Sequence, residues 1–168
     1  MFDEIFNETQ MLELQDLLRK NHKTITCAES CTGGLIASMI TEISGSSDVF
    51  NGSIVSYSNE IKMQELGVTS FHLEQFGAVS QEVVESMLDG VLVKFKADYA
   101  IAVSGIAGPN GGTKNKPVGT VVIGISSSNA YKKVVTYHFS GNRKAVQIQT
   151  AKTALQNLLN LVKKDLTK

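Results

Sequence analysis

The chain has 168 residues, 42% of them hydrophobic, with 16 Lys plus Arg balanced by 16 Asp plus Glu. That length and apolar content suffice for one domain with a sizeable core. A net charge of zero excludes a general electrostatic pull toward nucleic acid or an anionic membrane, and no apolar run approaches the ~20 residues of a membrane span.

Between about Glu4 and Arg19, Ile5, Met11, Leu12, Leu14, Leu17 and Leu18 recur at roughly helical spacing. They predict an amphipathic helix packing on the domain, ended by Asn21-His22-Lys23. Lys23-Thr24-Ile25 opens an apolar, β-branched run, and with Thr26-Cys27-Ala28-Glu29-Ser30-Cys31-Thr32-Gly33-Gly34 it reads as a buried strand followed by a tight polar turn. A helix follows from near Thr32 to about Ile43, broken by Ser44-Gly45-Ser46-Ser47. Asp48 to Ser58 reads as a strand on Val49, Phe50, Ile54, Val55 and Tyr57, and Ser58-Asn59-Glu60 caps a short helix, Ile61 to Leu66, stopped by Gly67. Thr69 to Ala78 reads as irregular. Ser80 opens a helix to about Phe95, with Val84, Met87, Val91 and Leu92 on its apolar side. Asp98 to Ser104 is nearly continuous in apolar residues, the pattern of a central strand, and the glycine-dense loop Gly105 to Gly112 follows it. Thr120 to Ser126 and Tyr131 to Phe139 form a hairpin about Ser127-Ser128-Asn129, and Gly141-Asn142-Arg143 caps a closing helix from about Lys144 to Leu161. The order α-β-α-β-α-α-β-β-β-α predicts a single α/β domain over residues 1–168. Its three α/β/α layers enclose a mixed sheet with a C-terminal antiparallel hairpin, and residues 1–22 form a helix packing on it.

In such a sheet the loops after the strands at Ile25 and Ile101 are the natural ligand positions. Ser30, Cys31 and Thr32 are expected near the first turn of a helix, where unpaired N–H groups favour anions and developing oxyanions. An ordinary Ser/Thr cap with turn glycines accounts for the same residues. The second loop is neither G-x-x-x-x-G-K-[ST] nor G-x-G-x-x-G. Cys27 and Cys31 at C-x3-C spacing lack nearby histidines, so they form neither a zinc knuckle nor a redox pair, and Cys27 reads as a core residue. The three histidines are scattered, and His138 reads as half-buried in a strand. The N-terminus is acidic without a following apolar stretch, so no signal peptide is expected. A reduced, cytoplasmic setting without metal or cofactor is the expectation. Lys152, Lys163, Lys164 and Lys168, diluted by acids and amides, read as a solvated helix face.

A serine nucleophile needs a base, and without a placed histidine the alternative is a desolvated lysine. Lys62 follows Tyr57-Ser58-Asn59-Glu60-Ile61, and Asn59 shares its helix face. Taken alone, Lys62 reads as a surface lysine. Arg143 at a helix start offers a planar fork for phosphate, or is simply a surface cap residue.

Six ordered stretches carry a resemblance. They are A-E-S-C-T-G-G at Ala28 to Gly34, Y-S-N-E-x-K at Tyr57 to Lys62 and G-A-V-S at Gly77 to Ser80. S-G-I-A-G-P-x-G-G at Ser104 to Gly112, K-P-V-G-T at Lys116 to Thr120 and F-S-G-x-R at Phe139 to Arg143 complete the set. Together they resemble the CinA C-terminal domain family, whose stand-alone form is a nicotinamide mononucleotide amidohydrolase of the PncC type. The resemblance implies a linear-amide hydrolase that converts nicotinamide mononucleotide and water to nicotinic acid mononucleotide and ammonia, in pyridine-nucleotide recycling. It places the serine nucleophile on Ser30, the lysine base on Lys62 and an assisting tyrosine on Tyr57. It implies oxyanion or substrate contacts from Cys31, Thr32, Gly33, Gly34 and Asn59. Further contacts fall on Ser104, Gly105, Ile106, Ala107, Gly108, Gly111, Gly112 and Thr120, with Arg143 on the phosphate. The N-terminal pyrophosphatase-type domain of full-length CinA proteins is expected to be absent, and its metal requirement with it. Many relatives carry a second basic residue a turn after the arginine; Gln147 stands there, so weaker phosphate binding is expected. Cys31 is a rival nucleophile. A different class of reading is a non-catalytic pyridine-nucleotide sensor or partner domain linked to competence or DNA damage. A homo-oligomer, a dimer with the first helix as interface, is also expected, with no nucleic-acid or membrane partner.

Overall fold

In the computed structural model, which describes residues 1–167, the first helix begins at Glu8 rather than Glu4. Asn7 accepts the Gln10 N–H at 3.1 Å while the Gln10 side chain accepts the Asn7 N–H at 2.9 Å. This reciprocal cap fixes the start of α1 (Glu8–Lys20). Met11, Leu14 and Leu18 are buried, whereas Leu12 turns outward and is 44% exposed.

The strands β1 (Ile25–Glu29), β2 (Ile54–Val55), β3 (Tyr99–Gly105), β4 (Thr120–Ser127) and β5 (Lys132–His138) form one sheet in the order β2-β1-β3-β4-β5. β1 pairs parallel with β2 and β3, Cys27 lying opposite Ile101, while β3, β4 and β5 are antiparallel. The mixed sheet and C-terminal hairpin expected from the sequence are therefore present. Side chains alternate across the pleat and build two cores. Tyr99, Ile101 and Val103 of β3 face a layer made by α1, α2 (Leu35–Thr41) and α6 (Arg143–Leu166), with Leu14, Leu155 and Leu158. Ala100 and Ala102 face the opposite layer of α3 (Asn59–Leu66), α4 (Ser70–Phe76) and α5 (Gln81–Phe95), with Val84, Met87 and Leu88. Burial on both faces explains why β3 reads as a nearly continuous apolar run, while β1 buries Thr26 and Glu29 with their polar atoms hydrogen-bonded.

Several boundaries differ from the sequence reading. Asp48 to Ser58 is mostly not a strand: Ser46–Asp48 is a single 3₁₀ turn, Phe50 makes an isolated bridge to Ile25, and only Ile54–Val55 joins the ladder. Thr26 Oγ1 donates to the Gly52 carbonyl at 2.7 Å, so a side chain replaces ladder bonds there. Thr69 to Ala78 contains a helix, α4, capped by Thr69 accepting the His72 N–H; none of its residues is buried, so no apolar stripe announces it. α2 starts at Leu35 because Gly33 and Gly34 adopt left-handed φ of +60° and +102°, which ordinary side chains avoid. α6 continues past Leu161 to Leu166. His138 is exposed on the edge strand rather than half-buried. Lys168 lies outside the described residues. No described helix is long and apolar enough to cross a membrane.

The seating of α3 depends on one glycine. A Cβ built on Gly90 of α5 would lie 2.1 Å from the Leu66 carbonyl oxygen of α3. Backbone cannot yield as a flexible side chain does, so Gly90→Ala is expected to destabilise the fold by about 1–3 kcal/mol. Urea unfolding midpoints at unchanged m-value would measure it.

Candidate active site

β1 and β3 run side by side and end at one edge of the sheet, where the Ser30 N–H donates to the Val103 carbonyl at 3.1 Å. Ser30 is thereby held at the mouth of β1, 7% exposed. Lys62 comes from the other helical layer. Ser58 caps α3 by accepting the Ile61 N–H at 3.2 Å, and this places Lys62 on the inward face, 1% exposed. It is among the largest fully buried side chains of the molecule. The surface-lysine reading is therefore wrong.

The Lys62 Nζ lies 2.9 Å from Ser30 Oγ, 2.8 Å from the Ser56 carbonyl and 3.3 Å from the Tyr57 carbonyl. A neutral amine has two N–H groups and one lone pair. Two carbonyls can take the two N–H groups and leave the lone pair aimed at the Ser30 hydroxyl. Burial disfavours the ammonium and lowers the Lys62 pKa from 10.5 to about 8. Cys31, the rival nucleophile, lies beside Ser30, but burial pushes its thiol up to about 12. It stays protonated at neutral pH and is a poor nucleophile there.

These residues open onto a cavity of about 260 Å³. Ser30, Cys31, Tyr57, Asn59 and Lys62 line one side; Ser104, Gly105, Ile106, Ala107, Gly108, Gly111 and Arg143 line the other. The shared helix face of Asn59 and Lys62 is thus real. Arg143 Nη1 donates to the Gly108 carbonyl and Nη2 to the Tyr57 hydroxyl, each at 2.7 Å. These two bonds span the glycine loop, the start of α6 and the segment before α3, and leave three of the guanidinium's five N–H groups for a ligand. Tyr57 reaches Lys62 through its carbonyl, while its hydroxyl is on Arg143.

Five residues expected at the site do not line the cavity. Thr32 turns its hydroxyl onto Glu29 at 2.6 Å. The Gly33 N–H is spent on the Ser30 carbonyl at 3.1 Å, and Gly34 serves as the cap residue of α2. Gly112 backs the loop, where a Cβ would meet the Val118 nitrogen at 2.8 Å. Thr120 holds the loop's return: its hydroxyl donates to the Pro117 carbonyl and its own carbonyl accepts the Ile106 N–H. Gln147, which stands where many relatives carry a second basic residue, donates to the Cys31 carbonyl at 3.0 Å and braces the turn after Ser30.

The sequence reading missed Glu29, Ser56, Ala78, Val79 and Asn110. Ala78 and Val79 lie in the quoted G-A-V-S stretch and form part of the cavity wall with Asn110. Nothing local marks Ser56, which acts through its main-chain carbonyl. A larger hollow of about 700 Å³ lies between α1, α2 and α6, lined by Phe6, Met11, Leu35 and Met39 among others, but it holds none of this chemistry.

Residues 7–162 match the CinA C-terminal domain. The chain belongs to the CinA C-terminal domain family. A nicotinamide-nucleotide amidohydrolase PncC from Enterobacter agglomerans is 49% identical over 148 residues, 88% of this chain and 90% of that protein. A CinA-like protein from Prochlorococcus marinus strain MIT 9301 is 51% identical over 144 residues, 86% of this chain but 34% of that protein. The chain thus spans about a third of such longer relatives. Among solved structures, the competence/damage inducible protein CihA from Agrobacterium tumefaciens has a TM-score of 0.85 at 38% identity, covering 90% of this chain and 95% of that one. A CinA superfamily protein from Escherichia coli has a TM-score of 0.89 at 30% identity, covering 96% and 93%. The CinA-type α/β fold with its mixed sheet is common ground with these structures.

Proposed function

We propose that the chain is a nicotinamide mononucleotide deamidase that works through a Ser30–Lys62 acyl-enzyme mechanism. The observation that carries this is the buried Lys62 Nζ at 2.9 Å from Ser30 Oγ, with two carbonyls directing its lone pair. The 49% identity to a nicotinamide-nucleotide amidohydrolase along 90% of that protein's length supports the substrate class.

Neutral Lys62 takes the Ser30 proton as Oγ bonds to the carboxamide carbon. Cys31 follows the nucleophile directly and lines the cavity, and its N–H, free of a main-chain acceptor among the described residues, serves as the oxyanion donor. Lys62 then returns the proton to the departing nitrogen, the C–N bond breaks, and ammonia leaves. Water attacks the acyl-enzyme with Lys62 again as base, releasing nicotinic acid mononucleotide and restoring Ser30. Arg143, anchored at the rim, meets the phosphate with its free N–H groups.

Ammonia release from nicotinamide mononucleotide is the expected result, with formation of nicotinic acid mononucleotide followed by chromatography. Tight binding of the mononucleotide with no ammonia release would point to the sensor reading instead.

A further inference from the structure

Glu29 is fully buried and has no part in the proton transfers above. Its Oε1 accepts the Thr32 hydroxyl at 2.6 Å and the Ile36 N–H at 2.9 Å, and its Oε2 accepts the Ala37 N–H at 3.0 Å. One side chain of β1 thus reaches over the whole turn from Ser30 to Gly34 and grips the first residues of α2. The usual cap, a short polar side chain at position 34, is closed to this turn, because Gly34 has a left-handed φ of +102°. Gly34 stands there without a side-chain cap. The main chain of Glu29 extends the connection. Its carbonyl accepts the Ser56 N–H at 2.7 Å and the Ser56 hydroxyl at 3.3 Å, and the Ser56 carbonyl accepts from Lys62 Nζ at 2.8 Å. Glu29 therefore adjoins the nucleophile by a peptide bond, spans its turn by side chain and reaches the base through a single residue.

We infer that Glu29 is the positioning residue of the dyad, its carboxyl group holding the turn that aims Ser30 Oγ at Lys62 Nζ. This rests on the reading of Ser30 as nucleophile. Gln at position 29 would turn an amide NH₂ toward the donors on one side, either Thr32 and Ile36 or Ala37 and the Cys27 thiol. Val at position 32 removes only the hydroxyl bond, leaving the Ile36 and Ala37 N–H groups capped.

The test is the rate at which Ser30 is labelled by a fluorophosphonate, read by intact mass and peptide mapping. Oγ bonds to phosphorus, fluoride leaves, and the Ser30 proton passes to Lys62. Circular dichroism at the assay temperature establishes that each variant is folded. Glu29→Gln is expected to slow labelling about tenfold or more, Thr32→Val about threefold or more, and Thr32→Ser to restore it to within about twofold, because small misplacements of a reacting group are costly. If Glu29→Gln fails to fold, the Thr32 pair decides. Equal labelling of the folded variants, or Thr32→Ser no faster than Thr32→Val, would leave Glu29 a cap of the fold and overturn the inference alone. No labelling of Ser30 in the unmodified protein overturns the nucleophile reading and this inference together.

Discussion

Lys62→Gln is expected to reduce ammonia release from nicotinamide mononucleotide by about 10⁴-fold or more, and Ser30→Ala by a similar factor. A serine hydroxyl is a weak nucleophile at neutral pH and gains its reactivity from a base within hydrogen-bond reach. In the proposed mechanism that base is the Lys62 amine, 2.9 Å from Ser30 Oγ, and no histidine lines the cavity. Gln keeps much of the length and polarity of lysine but cannot accept the proton. Because serine and lysine act as one unit, the double variant is expected to lose little more than either single one, the non-additivity that a shared proton transfer produces. Single-turnover assays on the two variants and their combination measure this directly. Activity surviving in both single variants would remove the proposed mechanism.

Burying lysine also costs stability, so the same side chain links function to pH. Lys62→Met, which fills similar space without a polar group, is expected to raise the melting temperature at neutral pH while abolishing turnover. The sign follows from protonation. The folded pKa of about 8 lies below the ordinary 10.5, so between those values the unfolded chain binds more protons than the folded one. The contribution of Lys62 to stability therefore improves as pH rises through that window, and its cost is fully present below pH about 8.

The second large effect is on rate. kcat/KM is expected to rise with pH through a midpoint near 8, because only the neutral amine can take the Ser30 proton. Below the midpoint the neutral fraction falls tenfold per pH unit, so activity at pH 6 should be about 100-fold below its plateau. A profile flat from pH 6 to 9, measured with substrate well below KM, would show that deprotonating Lys62 does not limit the reaction. A thiolate of Cys31 would give a midpoint far higher, since burial holds that thiol near 12.

How much of this was legible in the chain varies with the range of the forces involved. The nearly continuous apolar run about Ile101 announced β3, and the β-branched start at Ile25 announced β1, because strands buried on both faces are predominantly apolar. The hairpin and the caps at Ser58, Ser80 and Asn142 were equally readable, since a cap is a bond between residues three apart. The segments read wrongly, Asp48 to Ser58 and Thr69 to Ala78, are those whose conformation is set by contacts outside themselves or leaves no apolar stripe.

The candidate site divides in the same way. Sequence by itself determined the α/β class, the mixed sheet with its C-terminal hairpin and the two strand-end loops, while the family resemblance singled out Ser30, Lys62 and Arg143. Tertiary structure alone decided that Lys62 is buried, that Tyr57 serves it through a carbonyl, that Gln147 braces the Cys31 carbonyl, and that Thr32 faces Glu29 rather than the cavity. Ser30 and Lys62 are 32 residues apart in the chain, and Gln147 and Cys31 are 116 apart. Composition and periodicity describe a segment's own faces; a pKa or a hydrogen bond belongs to the environment that other segments supply once the sheet has brought them together.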